Sequence, residues 1–335
     1  MLKNLNKMRI DKQKEDEFYK KEFNFSYSSL NKLLFSPSLF YKDYILNERE
    51  VKTDKHLVEG KLIHCLVFEP ENLENKFNVL PGKLPSDSVK KVLKDMSFHT
   101  DAEKLDDIED FVILDSLKRM NLYQSLKKDE ARIDKIKVDS YQTYWEYLSN
   151  TDKDPIDQDT LIKCKDQAEM IKNNKYVMSL FNEVSTDFDL DPIETHAEKY
   201  LSSKIDGQPF GLHGYIDYYK INHDTKEVLI YDLKTTGKAV TDFKETVDFY
   251  NYWLQASIYC KLVYDSLGDK ADEYDIKFNF IVIDKYNQIY TFPVSDTSLS
   301  KWAEGLEYVI GVAKHHYTEN NYSLPYELLT NVVTL

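Results

Sequence analysis

Between Thr195 and Tyr264 the spacing of apolar residues changes from strand-like to helical. Thr195 to Ser203, Phe210 to Ile221 and Glu227 to Lys234 read as strands, separated by Asp206-Gly207 and by Asn222 to Lys226, which are turn-type clusters. Beyond them Leu254, Ile258 and Leu262 mark a buried helical stripe. This predicts one helix, capped by Asp242 with Glu245 reaching back and stopped at Gly268. DIKFNFIVIDKYNQIYTFPVS then reads as a hairpin turning at KYNQ, and LSKWAEGLEYVIGVAKHHYTENN as a closing helix.

Upstream, residues 1–22 are polar and charge-rich, a frayed tail or short exposed helix, with order beginning near Phe23. Phe25-Ser26-Tyr27-Ser28-Ser29-Leu30 marks a helix start, and LNKLLFSPSLFYKDYILN reads as two short amphipathic helices broken at Ser36-Pro37. Gly60 to Phe68 is apolar enough for a buried helix, ended by Glu69-Pro70-Glu71. Pro81 to Pro155 is highly charged with helical periodicity in FVILDSLKRMNLYQSL, and reads as a solvated helical insertion. Asp159 to Phe181 is a helix with a break at Asn173-Asn174, and Tyr322 to Leu335 an extended tail. The expected organisation is a polar tail (1–22) and a single domain (23–335). That domain divides into N-terminal helices (23–80), insertion and lead-in helix (81–190), α/β core (191–321) and tail (322–335).

Composition narrows the class. A chain of 335 residues with 42% hydrophobic and 13% aromatic residues can bury a sizeable core. No run approaches the ~18 apolar residues of a membrane span, and MLKNLNKMRIDKQKEDEF has no apolar leader. The expectation is a soluble cytoplasmic protein without a membrane partner. Cys65, Cys164 and Cys260 are far apart and lack Cys-x-x-Cys spacing, which argues against structural zinc and a disulfide framework. A net charge of −14 runs against binding nucleic acid through a basic average. An enzyme, however, needs only a local positive funnel and bound cations.

The chemistry concentrates in the strands. Asp217 lies inside the second and Asp232 near the end of the third. Adjacent antiparallel strands can set two such carboxylates side by side, which is costly unless a cation lies between them. Hard oxygen ligands suit magnesium or manganese. Lys234, two residues beyond Asp232, shares its strand face and can hold a water. Asp-x-Lys also occurs at Asp224, Asp242 and Asp275, so the tripeptide alone decides nothing. Context separates Asp232-Leu233-Lys234: the apolar run VLIY before it, Gly214-Tyr-Ile-Asp217 one hairpin upstream, and Gln255 and Tyr259 at i, i+4 on the helix downstream. Taken singly, each reads more readily as a solvated strand charge or an ordinary helix. A lone histidine in an apolar helix, such as His64, is more often a core residue than a ligand. His315 and His316 point about 100° apart on a helix and do not suit joint ligation.

Together these features resemble the PD-(D/E)XK nuclease superfamily, in the branch with a Gln-x-x-x-Tyr helix that includes RecB-like nuclease domains, lambda-type exonuclease and exonuclease VIII (RecE). The resemblance is strongest from Pro192 to Tyr264. It implies an α/β fold with an αβββαβ core. Asp217, Asp232 and the backbone carbonyl of Leu233 would hold a divalent metal, magnesium or manganese, and Glu198 in HAEKYL would complete the site, with Glu194 as fallback. Lys234 would orient the attacking water, Gln255 and Tyr259 would position Lys234 or the phosphate, and Thr235 and Thr236 would contact the DNA backbone. Upstream, Gly60-Lys-Leu-Ile-His64 followed by Leu-Val-Phe-Glu-Pro resembles the element preceding the core in exonuclease VIII and its phage relatives, which implies that His64 approaches the metal. Three cysteines are too few for the iron-sulfur members. The implied activity is a phage-type exodeoxyribonuclease acting on ends of linear double-stranded DNA for recombination, with a ring-shaped homo-oligomer and a single-strand annealing protein as implied partners. An endonuclease or single-strand-specific enzyme would share the chemistry, and a non-catalytic DNA-end binding module is the third reading.

Overall fold

The computed structural model describes residues 2–49, 54–149, 152–181 and 193–331. The chain divides into two compact units, residues 1–52 with 170–335 and residues 53–169.

The first unit opens with α1 (Leu2–Tyr19), β1 (Phe23–Phe25), α2 (Tyr27–Phe35) and α3 (Pro37–Phe40), which runs into a π-helical turn at Tyr41–Ile45. Ser26 caps α2 at the helix start that the sequence marks: its hydroxyl accepts the Ser29 N–H, and the Ser29 hydroxyl accepts the Ser26 N–H. Of the two expectations for the first residues, a helix is found. α1 is five turns long by its span, Phe18 and Tyr19 pack against the core, and Glu15 is buried and accepts the Tyr41 hydroxyl at 3.0 Å.

The second unit holds α4 (Lys55–Phe68), α5 (Leu73–Lys76), β2 (Phe77–Val79), α6 (Asp87–Ser97), α7 (Asp110–Arg119), α8 (Asp129–Ile133), α9 (Asp139–Ser149) and β3 (Asp154–Ile156), with most of α10 (Gln158–Asn173). β2 and β3 pair in parallel. The charged insertion is not merely solvated decoration. Val92, Leu93, Met96, Ile113, Leu117 and Trp145 close a core of their own, and the Trp145 indole N–H donates to the Ala102 carbonyl at 2.9 Å. The charges hid an apolar stripe that each helix keeps on one face.

The first unit resumes with α11 (Lys175–Phe181), β4 (Ile193–Lys204), β5 (Phe210–Asn222) and β6 (Glu227–Thr236). It continues through α12 (Phe243–Phe249), α13 (Tyr252–Ser266), β7 (Asp275–Asp284), β8 (Ile289–Pro293), α14 (Asp296–Glu319) and α15 (Tyr326–Thr330). Among the described residues its mixed sheet runs β1-β5-β6-β7-β8, with β4 also on β5. β4, β5 and β6 form an antiparallel meander, α12 and α13 make the crossover, and β7 joins β6 in parallel. This mixed α/β arrangement has the αβββαβ order expected. Val228, Ile230, Phe278 and Phe280 from the sheet meet Leu254, Ile258 and Leu262 of α13 and Val309 and Ile310 of α14 in one core. At Gly214 β5 comes close to α13: a Cβ there would lie 3.0 Å from the Tyr259 ring.

Two expectations are corrected. The single helix from Asp242 is two, and the Asp242 side chain caps neither. α12 stops at Phe249, and Asn251 takes a left-handed φ of 56° to open α13. Tertiary bonds override the helical pattern there: the Tyr250 carbonyl accepts from the Tyr27 hydroxyl, and the Asn251 amide donates to the Asn31 side chain at 2.8 Å. Asparagine tolerates the left-handed region better than most residues. The tail after Tyr322 is likewise not wholly extended, since Tyr322 is buried, stacked on Phe40, and followed by α15. Gly268, at φ 60°, does close α13.

Asp284 organises the β7–β8 turn at 1% exposure. Its carboxylate accepts the N–H groups of Tyr286 (2.8 Å), Gln288 (2.9 Å) and, from the segment before α12, Val240 (3.0 Å). Asp284→Ala strands three donors at once and is expected to cost about 3 kcal/mol. Urea unfolding checks this, and a loss below about 0.5 kcal/mol would refute the role.

Candidate active site

β5 and β6 pair from Asn222–Glu227 to Tyr218–Tyr231. The next opposed pair in that register is Asp217 and Asp232, and there the recorded ladder ends; farther along, β5 pairs with β1 at Phe210–Leu212 instead. Asp217 reaches into the opening, where its Oδ2 accepts the Leu233 N–H at 2.7 Å. Asp217 is 7% exposed and Asp232 fully buried. The like charges of two carboxylates thus meet where water is largely excluded.

On the other side of β5, Glu198 lies across from Asp217 between the pairs Ala197–Tyr218 and Lys199–Ile216. Glu198 and Asp217 each offer a carboxylate oxygen within 4.8 Å of the other. Glu198 also has φ 46° in mid-strand. A non-glycine residue in that region costs on the order of 1–3 kcal/mol and persists where its surroundings over-determine it. The pleat changes phase at this point: even-numbered Phe210, Leu212 and Ile216 enter the core before it, odd-numbered Tyr219 and Ile221 after it. The distortion brings Asp217 onto the core-facing side where Asp232 already lies.

Asp232 and Lys234 share the face of Val228 and Ile230, while Tyr231 points oppositely, its ring 5.8 Å from that of Phe181. The Lys234 Nζ pairs with Asp232 Oδ2, and its side chain is only 12% exposed. Burial pulls the ammonium toward its neutral form, but the carboxylates of Asp232 and then Asp217 outweigh it and raise the pKa above the usual lysine value. Lys234 is therefore a fixed cation.

Its Nζ also stands 4.9 Å from the centre of the Tyr252 ring, a favourable cation–π placement. Gln255 and Tyr259 bond to each other, the Gln255 amide donating to the Tyr259 hydroxyl at 2.9 Å. Burial first, then the Asp217 and Asp232 carboxylates, push the Tyr259 phenol well above its ordinary range, so it remains a neutral donor. Tyr252 escaped the sequence reading. Its signal was the i, i+3, i+7 spacing with Gln255 and Tyr259, which puts all three on one helix face.

The remaining predicted residues are placed as follows. Thr235 and Thr236 are half-buried at the end of β6, where Thr236 Oγ1 accepts the Lys238 N–H at 3.1 Å. Glu194, the fallback ligand, instead pairs with His196 at 2.7 Å and His223 at 3.4 Å. His64 lies on α4 of the second unit, half-buried, with its ring edge-on to Phe68.

No protein-family model matches this chain, and no curated protein does. Among solved structures, a protein from Eubacterium rectale described as a "putative exonuclease" is similar at a TM-score of 0.48 and 11% identity, over 97% of this chain and 92% of that one.

Within the first unit the carboxylates of Glu198 and Asp217 can share an ion, and Asp232 stands opposite Asp217 where the register continues, so the donors this unit offers are oxygen. Such oxygen donors fit a hard divalent cation. Carboxylates this close repel one another, and a divalent ion would offset that repulsion.

Proposed function

We propose that the protein is a metal-dependent deoxyribonuclease of the PD-(D/E)XK type that degrades linear double-stranded DNA from its ends. The observation that carries this reading is the opposition of Asp217 and Asp232 where β5 and β6 part, with Lys234 paired to Asp232 on the same face.

In this reading Asp217, Asp232 and Glu198 hold the metal. The Leu233 carbonyl is a further donor, because its N–H already points toward Asp217 and the two backbone groups of a strand residue point to the same side. The bound ion supplies Lewis acidity at the scissile phosphate. The Lys234 ammonium orients the attacking water and offsets charge that builds on the phosphate oxygens. Tyr252 fixes the lysine from the ring side, and Tyr259, held by Gln255, keeps a phenol proton available for hydrogen bonding. Thr235 and Thr236 contact the backbone. The preference for ends, and with it a phage-type recombination role, a ring assembly and an annealing partner, rests on the resemblance carried by the Gly60 to His64 element, which implies a metal-binding role for His64.

Magnesium or manganese is expected to support release of nucleotides from an end-labelled linear duplex but not from a nicked circle, with calcium supporting binding without turnover. Cleavage that persists in excess chelator would refute metal dependence, and cutting of the circle would move the reading to an endonuclease. His64→Ala is expected to lower cleavage about 10-fold or more with little change in melting temperature. A lowered melting temperature with unchanged activity of the folded fraction would return His64 to a packing role.

A further inference from the structure

Phe249 is 73% and Tyr250 46% exposed at the end of α12. Exposure of two neighbouring aromatic rings is unfavourable in water, yet the backbone holds them outward. The Tyr250 carbonyl accepts from the Tyr27 hydroxyl and from the Asn31 amide, and Asn251, in its left-handed conformation, donates to Asn31. We propose that Phe249 and Tyr250 form a stacking platform for an unpaired nucleobase of the DNA strand being cleaved; this deepens the nuclease reading and rests on it.

Two observations point to a nucleotide. First, the rings continue from the active site: Tyr252, over which Lys234 is placed, stacks on Tyr250 with centroids 5.6 Å apart and planes 28° from parallel, and Tyr250 meets Phe249 edge-on at 4.9 Å. Second, cations flank both ends of this aromatic run. Lys234 is at one end, and the Lys238 Nζ stands 5.6 Å from the Phe249 ring at the other. A base joined to phosphates matches rings interleaved with ammonium groups. The exposed carboxylates of Asp248 and Glu245 border the rings, so contact with phosphate falls to the Lys234 and Lys238 ammonium groups.

A preorganised platform of this kind would grip the terminal nucleotide once the duplex end opens, and it would favour substrates that already carry a single-stranded overhang. Stacking tolerates every base, so no sequence preference is expected.

The test uses the full chain in calcium with a single-stranded oligonucleotide carrying 2-aminopurine at its end. Wild-type protein is expected to quench the fluorescence, Phe249→Ala to abolish the quench and weaken binding about tenfold, and Phe249→Trp to restore both, with melting temperatures unchanged throughout. Quench and affinity equal in wild type and Phe249→Ala would overturn the platform, as would failure of the wild type to bind. A concentration-dependent dimer lost in Phe249→Ala, with the quench intact, would overturn it in favour of a contact between copies. Binding and quench in the wild type without nucleotide release in magnesium would leave the platform standing and refute the hydrolytic reading.

Discussion

Asp232→Asn is expected to remove divalent-metal binding and to lower cleavage of linear duplex DNA by about 10³-fold. Asp232 is the most enclosed carboxylate of the site, at 0% exposure, and it is the one in contact with Lys234. Asparagine is the informative replacement. Alanine would leave the Lys234 ammonium at 12% exposure without its direct partner, and breaking a buried pair from one side typically costs about 3–5 kcal/mol. The amide keeps the shape and an oxygen toward Lys234 while removing the charge. Magnesium is expected to raise the melting temperature of the wild-type protein, because an ion that binds only the folded state stabilises it. The same titration should leave Asp232→Asn unmoved. A wild-type magnesium shift in the variant would exclude Asp232 as a ligand.

Much of this site was legible because strand periodicity and hairpin turns are local. Asp206-Gly207 and the Asn222 to Lys226 turn fix how β4, β5 and β6 fold back, and the resulting registers place Glu198, Asp217 and Asp232 in opposition. The face shared by Asp232 and Lys234 follows from a period of two. What was not legible depends on contacts remote in sequence. The pleat slip at Asp217 needs the strained φ of Glu198, and no residue type announces it. The break between α12 and α13 is set by Tyr27 and Asn31, more than 200 positions away. Asp242 therefore looked like a helix cap, although the Asn251 turn opens the helix that carries Gln255 and Tyr259. The core of the second unit was masked by charge: its helices keep Val92, Leu93, Met96 and Leu117 inside while lysines and aspartates cover the outer face.

Lys234→Met separates binding from chemistry. The ammonium is both the partner of Asp232 and, in the proposed mechanism, the group that orients water and offsets charge on the phosphate. Methionine retains much of the stem that packs near Tyr252 but removes the cation. Without metal, Asp217 and Asp232 would then lose the ammonium that offsets their charges, so the variant should melt at a lower temperature than wild type. Magnesium would compensate for the missing charge, and its stabilising effect is expected to be larger in Lys234→Met than in the wild-type protein. Cleavage should not recover with it. Under single-turnover conditions at saturating magnesium and DNA, the loss of one preorganised electrostatic group is expected to lower the rate on the order of 10²- to 10³-fold. Paired results decide the assignment. A larger magnesium shift with slow cleavage places Lys234 at the reacting phosphate, whereas a near wild-type single-turnover rate would make it a structural counter-ion, and the proposed hydrolytic role of this Asp-x-Lys would fall.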